Sequence, residues 1–386
     1  MGCSRFVVDT DAVTIWDAII VGAGPSGCAA AYDLASDGHS VLLLDKAEFP
    51  HPKACAGGLT RKSLRALRYP VTPVIRATRD TVTIEKSPTE RMPVRSRTPV
   101  CAMTVRQELD DFCLRQTLAA GARFERIDPI TGVVESATEV CVHAGEKVFR
   151  GRFLIGADGV HSQVRRFAGS AGWFRRGFAL EANVRVDGAA SAEVVFDLKA
   201  VRGGYGWVFP KGDHVNVGLY TIDDSEKLNR ERLTTYIDSR WGPVAAEQFV
   251  GQYLGFGAER PQTESTDPSS SRIFLVGDAG GFADPLTGEG IYGAVASGQA
   301  AAWAITRHLR HKADPVRAFA KATSRLRADL RISAAGARWF YANSDSGYRA
   351  FTMPLLRRMI LRAYADGTSV AAVAGAVKRF EGIFRA

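Results

Sequence analysis

The sequence predicts an α/β fold of the two-lobe, α+β kind, and three observations predict it. Near the N-terminus an apolar strand runs into Gly22-Ala23-Gly24-Pro25-Ser26-Gly27, an alanine-rich helix and a second apolar strand that ends in Asp45. From about residue 173 to 270 short strands alternate with glycine turns. From residue 311 onward the pattern is that of basic amphipathic helices. Strand, glycine turn, helix, strand and acid in that order make a Rossmann-like nucleotide-binding lobe. The alternating strands make a mixed β-sheet lobe, and the last segment a C-terminal helical region.

Each element follows in order. Residues 1–13 read as a loose leader and 14–21 as one apolar strand. Gly22 permits the tight turn, Gly24 lets a pyrophosphate approach the backbone, and Gly27 lets helix and strand pack closely. The second strand covers 39–44, and Asp45 suits the ribose hydroxyls of an adenosine. In the loop at 49–58, Cys55, Gly57 and Gly58 allow the backbone to approach something flat, and a basic helix follows over about 60–68. Residues 71–100 read as short strands of the second lobe. A helix over 105–120 ends at Gly121, and a meander over 124–149 leads to a buried strand at 153–155 and to Gly156-Ala157-Asp158-Gly159. Residues 261–271 form a polar linker. The chain then re-enters the first lobe with a strand at 273–276, the Gly277-Asp278 turn, a loop closed by Pro285, and a small-residue helix opening at Gly288-Glu289-Gly290. There Asp278 can accept hydrogen bonds from sugar hydroxyls, while free N–H groups around Thr287 to Gly290 suit an anion. The C-terminal helices break once, near Asn343 to Gly347.

The totals exclude several classes. No run of about 18 apolar residues occurs, so no membrane span is expected. No basic segment followed by an apolar one opens the chain, so no secretory signal is expected. The six cysteines are scattered without a C-x-x-C pair, so no zinc or iron–sulfur site is expected, and reduced thiols in a cytoplasm are the default. The net charge is +9, yet residues 301–386 alone carry 16 Lys and Arg against 5 Asp and Glu. That surplus favours an acidic surface or ligand; with Tyr348, Phe351, Leu355, Leu356, Met359 and Ile360 among the arginines, these helices either rest on an anionic membrane or present a solvated basic face over a packed core. No nucleic-acid motif is present.

Three separated segments now coincide: the glycine turn with Asp45, Gly156-Ala157-Asp158-Gly159 with Arg165, and Gly277-Asp278 with Pro285 and Gly288-Glu289-Gly290. Together they resemble the FAD-binding fold shared by p-hydroxybenzoate hydroxylase-type monooxygenases, flavin-dependent halogenases and geranylgeranyl reductases, over about residues 14–310. Finer residues choose the branch. Lys53-Ala54-Cys55-Ala56-Gly57-Gly58 is similar to the reductases' K-P-C-G-G-G loop, with Ala54 and Ala56 departing from it. Tyr205-Gly206-Trp207-Val208-Phe209-Pro210-Lys211 matches their Y-x-W-x-F-P-K motif throughout, and residues 282–291 are similar to their G-F-x-x-P-x-T-G-E-G-I segment. Monooxygenases place His where Gly281 stands, and halogenases place Trp and Ile where Tyr205 and Phe209 stand. The chain therefore resembles the geranylgeranyl reductase family.

The resemblance implies an FAD-binding domain from 14–70, 101–170 and 271–310, a substrate-binding sheet from 71–100 and 171–270, and a basic helical region over 311–386. It implies saturation of C=C bonds in a geranylgeranyl or polyprenyl lipid, with electrons from NADPH or from a small carrier. An isolated trisubstituted alkene is not electrophilic, so hydride from reduced flavin N5 must be matched by an acid at the other carbon. Cys55 is the expected acid, with Tyr205 and Trp207 completing the catalytic set. Tyr205, Trp207 and Phe209 share a strand face by their period of two and, with Gly57 and Gly58, form the expected substrate wall. The expected cofactor residues are Gly22, Gly24, Gly27, Asp45, Lys46, Arg106, Asp158, Asp278, Gly288, Gly290 and Ile291. An oxygen-using hydroxylase or halogenase of the same fold, and a flavoprotein feeding a membrane quinone, are the alternative readings.

Overall fold

The computed structural model of the chain describes residues 14–87, 89–169, 174–258 and 272–367. The expected leader, the linker at 261–271 and the end of the C-terminal region lie outside them.

A five-stranded parallel sheet takes the strands in the order Ile273–Leu275, Leu154–Gly156, Ala18–Val21, Val41–Asp45 and Arg123–Arg126. Its central strands are continuous apolar runs because both of their faces are covered. Ile20 and Leu43 face a core shared with the helices Pro25–Ser36 and Ile291–His311, while Ile19, Val21, Leu42 and Leu44 face Val140, Val142 and Ala144 of a four-stranded sheet. Two expectations are corrected here. The strand over 14–21 splits at Asp17: Ile15–Trp16 pairs with Lys147–Gly151 in the four-stranded sheet, and Ala18–Val21 enters the parallel one. The Asp17 carboxylate accepts the Ser40 N–H and hydroxyl, both at 3.0 Å, and that local pairing fixes the switch between sheets. Arg123–Arg126, read as the start of the meander, is instead the edge strand of the parallel sheet.

A mixed seven-stranded sheet runs Ala246–Phe256, Arg175–Val184, Val215–Thr221, Gly204–Pro210, Val194–Asp197, Thr81–Glu85 and Arg91–Arg95, with one parallel pair. Tyr205, Trp207 and Phe209 lie buried on one of its faces. The other face packs Val208, Val217 and Leu219 against Leu233 and Ile237 of a helix, Arg230–Trp241, that the sequence reading assigned to strand. The Asn229 side chain accepts the Arg232 N–H at 2.9 Å as its cap, and Leu233 and Ile237 stand four residues apart, a short helical signal lost among strands.

The C-terminal region forms Pro315–Ala342, Ser344–Thr352 and Pro354–Asp366. It therefore breaks twice, the second time before Pro354, whose ring disfavours helical backbone at Met353. Gly347 lies inside a helix, where an added Cβ would come within 2.4 Å of the Phe340 ring. Of the six apolar residues expected on an outward membrane face, three turn inward: Tyr348 and Phe351 pack on the cluster of Tyr205, Trp207 and Phe209, as do Leu361 and Tyr364 beyond them, and Leu356 is buried. Leu355 alone stays prominent, 62 % exposed. Among the described residues no helix is long and apolar enough to cross a membrane.

Candidate active site

The glycine turn has the geometry its sequence requires. Gly22 takes φ of 105°, and a Cβ there would lie 2.3 Å from the Ala157 carbonyl oxygen, so only glycine fits. Gly24 is open by contrast, its nearest neighbour being Lys53 Nζ at 3.8 Å from where a Cβ would stand. Lys53 thus overhangs the turn, a cation the sequence reading quoted but did not assign. Asp45 steadies the turn itself: Oδ2 accepts the Ala23 N–H at 2.7 Å and Oδ1 the Ala47 N–H at 2.9 Å. Lys46 lies apart, exposed in a cavity of about 610 Å³ with Arg126, Asp128 and Lys147.

Asp278 is where a hydroxylated, anionic cofactor fits best. Burial pushes its carboxyl above the ordinary value, while Lys53, the Gly255 N–H, Arg106 and Arg165 pull the other way. Among the described residues its carboxylate takes one long hydrogen bond, 3.4 Å from the Gly255 N–H, so this partly buried group retains room for hydroxyl donors. A Cβ on Gly290 would stand 3.5 Å from Asp278 Oδ1, which places the start of the helix Ile291–His311 beside it. Here the expected anion clamp narrows. The Gly288 N–H is taken by the Asp284 carbonyl at 2.8 Å and the Glu289 N–H by the Thr287 hydroxyl at 3.3 Å. The N–H groups of Gly290 and Ile291 are the ones without a partner among the described residues. Asp158 is engaged by its own chain. Its Oδ1 takes the Ser162 hydroxyl at 2.5 Å and its Oδ2 the Gln163 and Val164 N–H groups, so it caps its own short helix.

Arg106 opens the helix Arg106–Ala119 and is buried against Asp110, with bonds of 2.9 and 2.7 Å. Burial works against its charge, but Asp110 and then Cys55 hold it protonated, above the ordinary value. It therefore stands near enough to Asp278 and Cys55 for its charge to act on both.

Cys55 is the one described cysteine that is not buried. Its N–H donates to Glu181 Oε1 at 2.9 Å, and its Sγ accepts the Gly57 N–H at 3.3 Å. Gly58 lies on the Phe209 ring, where a Cβ would stand 2.9 Å from Cε2, so the loop and the aromatic strand meet as expected. The Trp207 indole crosses Gly218, and its Nε1 donates to Asn216 Oδ1 at 2.8 Å. Tyr205 turns elsewhere: its hydroxyl donates to the Thr287 carbonyl at 2.6 Å, so it holds the loop before the helix rather than reaching a reacting atom.

Glu181 and Lys211 were missed. Glu181 occupies a polar position in an alternating strand, which in sequence looks solvent-facing, yet it is 8 % exposed. Lys211 ends the aromatic motif, is 3 % exposed, and donates to the carbonyls of Ala56 and Thr104. Among the described residues no cluster of side chains could hold a metal ion.

Residues 16–328 match the family model described as an FAD binding domain. The chain belongs to that family. A digeranylgeranylglycerophospholipid reductase of Methanocella arvoryzae is 30 % identical over 341 residues, 82 % of this chain and 83 % of that one. An uncharacterized protein of Methanosarcina barkeri is 35 % identical over 301 residues, 76 % of each chain. A geranylgeranyl bacteriochlorophyll reductase-like protein of Thermoplasma acidophilum shares the fold with a TM-score of 0.77 at 23 % identity, covering 95 % of this chain and 100 % of its own. A flavin-dependent brominase shares it at 0.73 and 18 %, covering 95 % and 99 %. Within the FAD-binding family the chain is thus a member of the geranylgeranyl reductase branch, and an FAD-dependent oxidoreductase.

Proposed function

We propose that the chain saturates C=C bonds of a geranylgeranyl or other polyprenyl lipid. The observation that carries the reading is the meeting of the Cys55 turn with the buried aromatic face of Tyr205, Trp207 and Phe209, beside Arg106 and Asp278. That face is apolar and roofed by the C-terminal helices, as a prenyl chain requires. The similarity to a digeranylgeranylglycerophospholipid reductase supports the same substrate class.

Lys53 and Gly24 would receive the pyrophosphate of FAD, Asp278 its sugar-like hydroxyls, and the Gly290 and Ile291 N–H groups its anionic edge. Bound and reduced, FAD supplies the hydride equivalent. Cys55 supplies the matching proton to the other alkene carbon and regains it from solvent, so each saturated bond gains one hydride and one proton. Trp207 and Phe209 exclude water from the developing charge. The electrons enter from NADPH or a small carrier.

The test is anaerobic turnover of geranylgeranyl lipids by the reduced holoenzyme, read as product mass. Addition of hydrogen pairs supports the reading; unchanged lipid across phosphate, diphosphate and quinone head groups contradicts it.

A further inference from the structure

We propose that Glu181 and Lys211 are positioning residues that hold the Cys55 turn, Glu181 at the Cys55 amide and Lys211 at the next carbonyl, so that the thiol hydrogen is aimed into the site. The proposal deepens the prenyl-reduction reading and rests on it for the identity of the proton acceptor. Glu181 comes from the strand Arg175–Val184 and takes the Cys55 N–H at 2.9 Å. Lys211 follows the strand Gly204–Pro210 and donates to the carbonyl of Ala56, the next residue, and to Thr104 at 2.9 Å. Gly57 closes the turn by donating to Cys55 Sγ. Three successive residues are therefore pinned. The turn has little room to shift, since Gly57 takes φ of 60° and a Cβ on it would lie 2.1 Å from the Thr104 oxygen and 2.8 Å from Lys211 Nζ.

Two buried ions are a costly way to hold a turn that neutral side chains could hold, because each gives up its hydration. The two ions come from different strands, yet they converge on the one described cysteine that is not buried. The consequence for the thiol is directional. The Gly57 N–H and the Arg106 guanidinium are both donors towards the sulfur, so its lone pairs face them and the S–H bond points away from both. Neither neighbour has a lone pair to accept the thiol hydrogen, so the proton stays available to substrate.

The experiment uses full-length holoprotein carrying Glu181→Ala, Glu181→Gln or Lys211→Met, with a separate Cys55→Ala protein as the blank for alkylation. Turnover of a geranylgeranyl lipid is measured alongside iodoacetamide alkylation of Cys55, followed by peptide mass with no lipid present. Glu181→Ala and Lys211→Met are expected to lower kcat about tenfold or more with KM within about twofold. They should also change the Cys55 alkylation rate about fivefold or more, with Glu181→Gln restoring most of both losses because it keeps an acceptor for the amide. The alkylation arm needs no prenyl substrate. An enzyme that turns over no lipid but shows the alkylation pattern therefore overturns the function and leaves the positioning standing. Folded Glu181→Ala and Lys211→Met proteins whose alkylation rate stays within about twofold of wild type overturn the positioning. Variants that all unfold, Glu181→Gln included, overturn it too, since the two ions would then serve the fold.

Discussion

The Tyr205 hydroxyl donates a 2.6 Å hydrogen bond to the Thr287 carbonyl, and so ties the aromatic strand to the segment that leads into the helix Ile291–His311. Tyr220 donates to the Pro285 carbonyl at 2.9 Å, and Tyr341 to that of Leu286. Three consecutive carbonyls are thus each held by a tyrosine from a different element. The loop stands immediately before the Gly290 and Ile291 N–H groups. Tyr205→Phe keeps the ring but leaves the Thr287 carbonyl without its donor, at about 1–2 kcal/mol. FAD affinity, measured by flavin fluorescence, is expected to fall about tenfold with little change in fold; unaltered affinity would separate the tyrosine from the cofactor.

Cys55→Ala removes the proposed proton source without touching the glycine turn or Asp278. FAD is expected to bind as in wild type while alkene reduction slows by about a hundredfold or more. Stopped-flow oxidation of the reduced enzyme by lipid measures this step, and wild-type rates would eliminate Cys55 as donor.

Lys211 gives a pH signature in stability. Burial lowers its ammonium from 10.5 to about 8, against the opposing pull of Cys55, Glu181 and Cys101. Below about pH 8 folded and unfolded chains both carry the proton, and the burial cost is fully present. Between about 8 and 10.5 the unfolded chain binds more protons, so the folded state gains stability as pH rises. Lys211→Met should lack that gain, worth at most about 3 kcal/mol. Urea unfolding of both proteins on the two sides of pH 8 measures it, and parallel pH curves would count against a charged, buried Lys211.

Gly218 carries the Trp207 indole. A Cβ added there would stand 2.1 Å from Trp207 Cζ2 and 2.7 Å from the Leu180 carbonyl oxygen. Gly218→Ala is expected to cost about 1–3 kcal/mol by overpacking and to shift the tryptophan emission, since Trp207 must leave Asn216. An unchanged urea midpoint and spectrum would show that the wall yields without strain.

Local signals made the nucleotide-binding half legible. A glycine turn between two apolar strands has one common fold, and the strands at 18–21, 41–45 and 154–156 lie close to where their apolar runs stand. The aromatic face was legible because period two leaves a strand no choice about which residues share a side. What sequence hid depends on distance along the chain. Glu181 meets Cys55 across 126 positions, and nothing near Glu181 distinguishes it from a solvated strand carboxylate. The commitment of Asp158 to its own cap and of Tyr205 to Thr287 is a matter of side-chain direction, which motif spacing does not specify. The inward packing of Tyr348 and Phe351 is a tertiary fact that a count of arginines overlooks.

The central claim is prenyl reduction, and product mass tests it most directly. The reduced holoenzyme is mixed without oxygen with geranylgeranyl lipids of different head groups, and half of each sample is then aerated. Added hydrogen pairs are expected in the anaerobic half, with the preferred lipid identifying the head group. A gain of one oxygen confined to the aerated half would contradict it and make the chain a hydroxylase of the same fold.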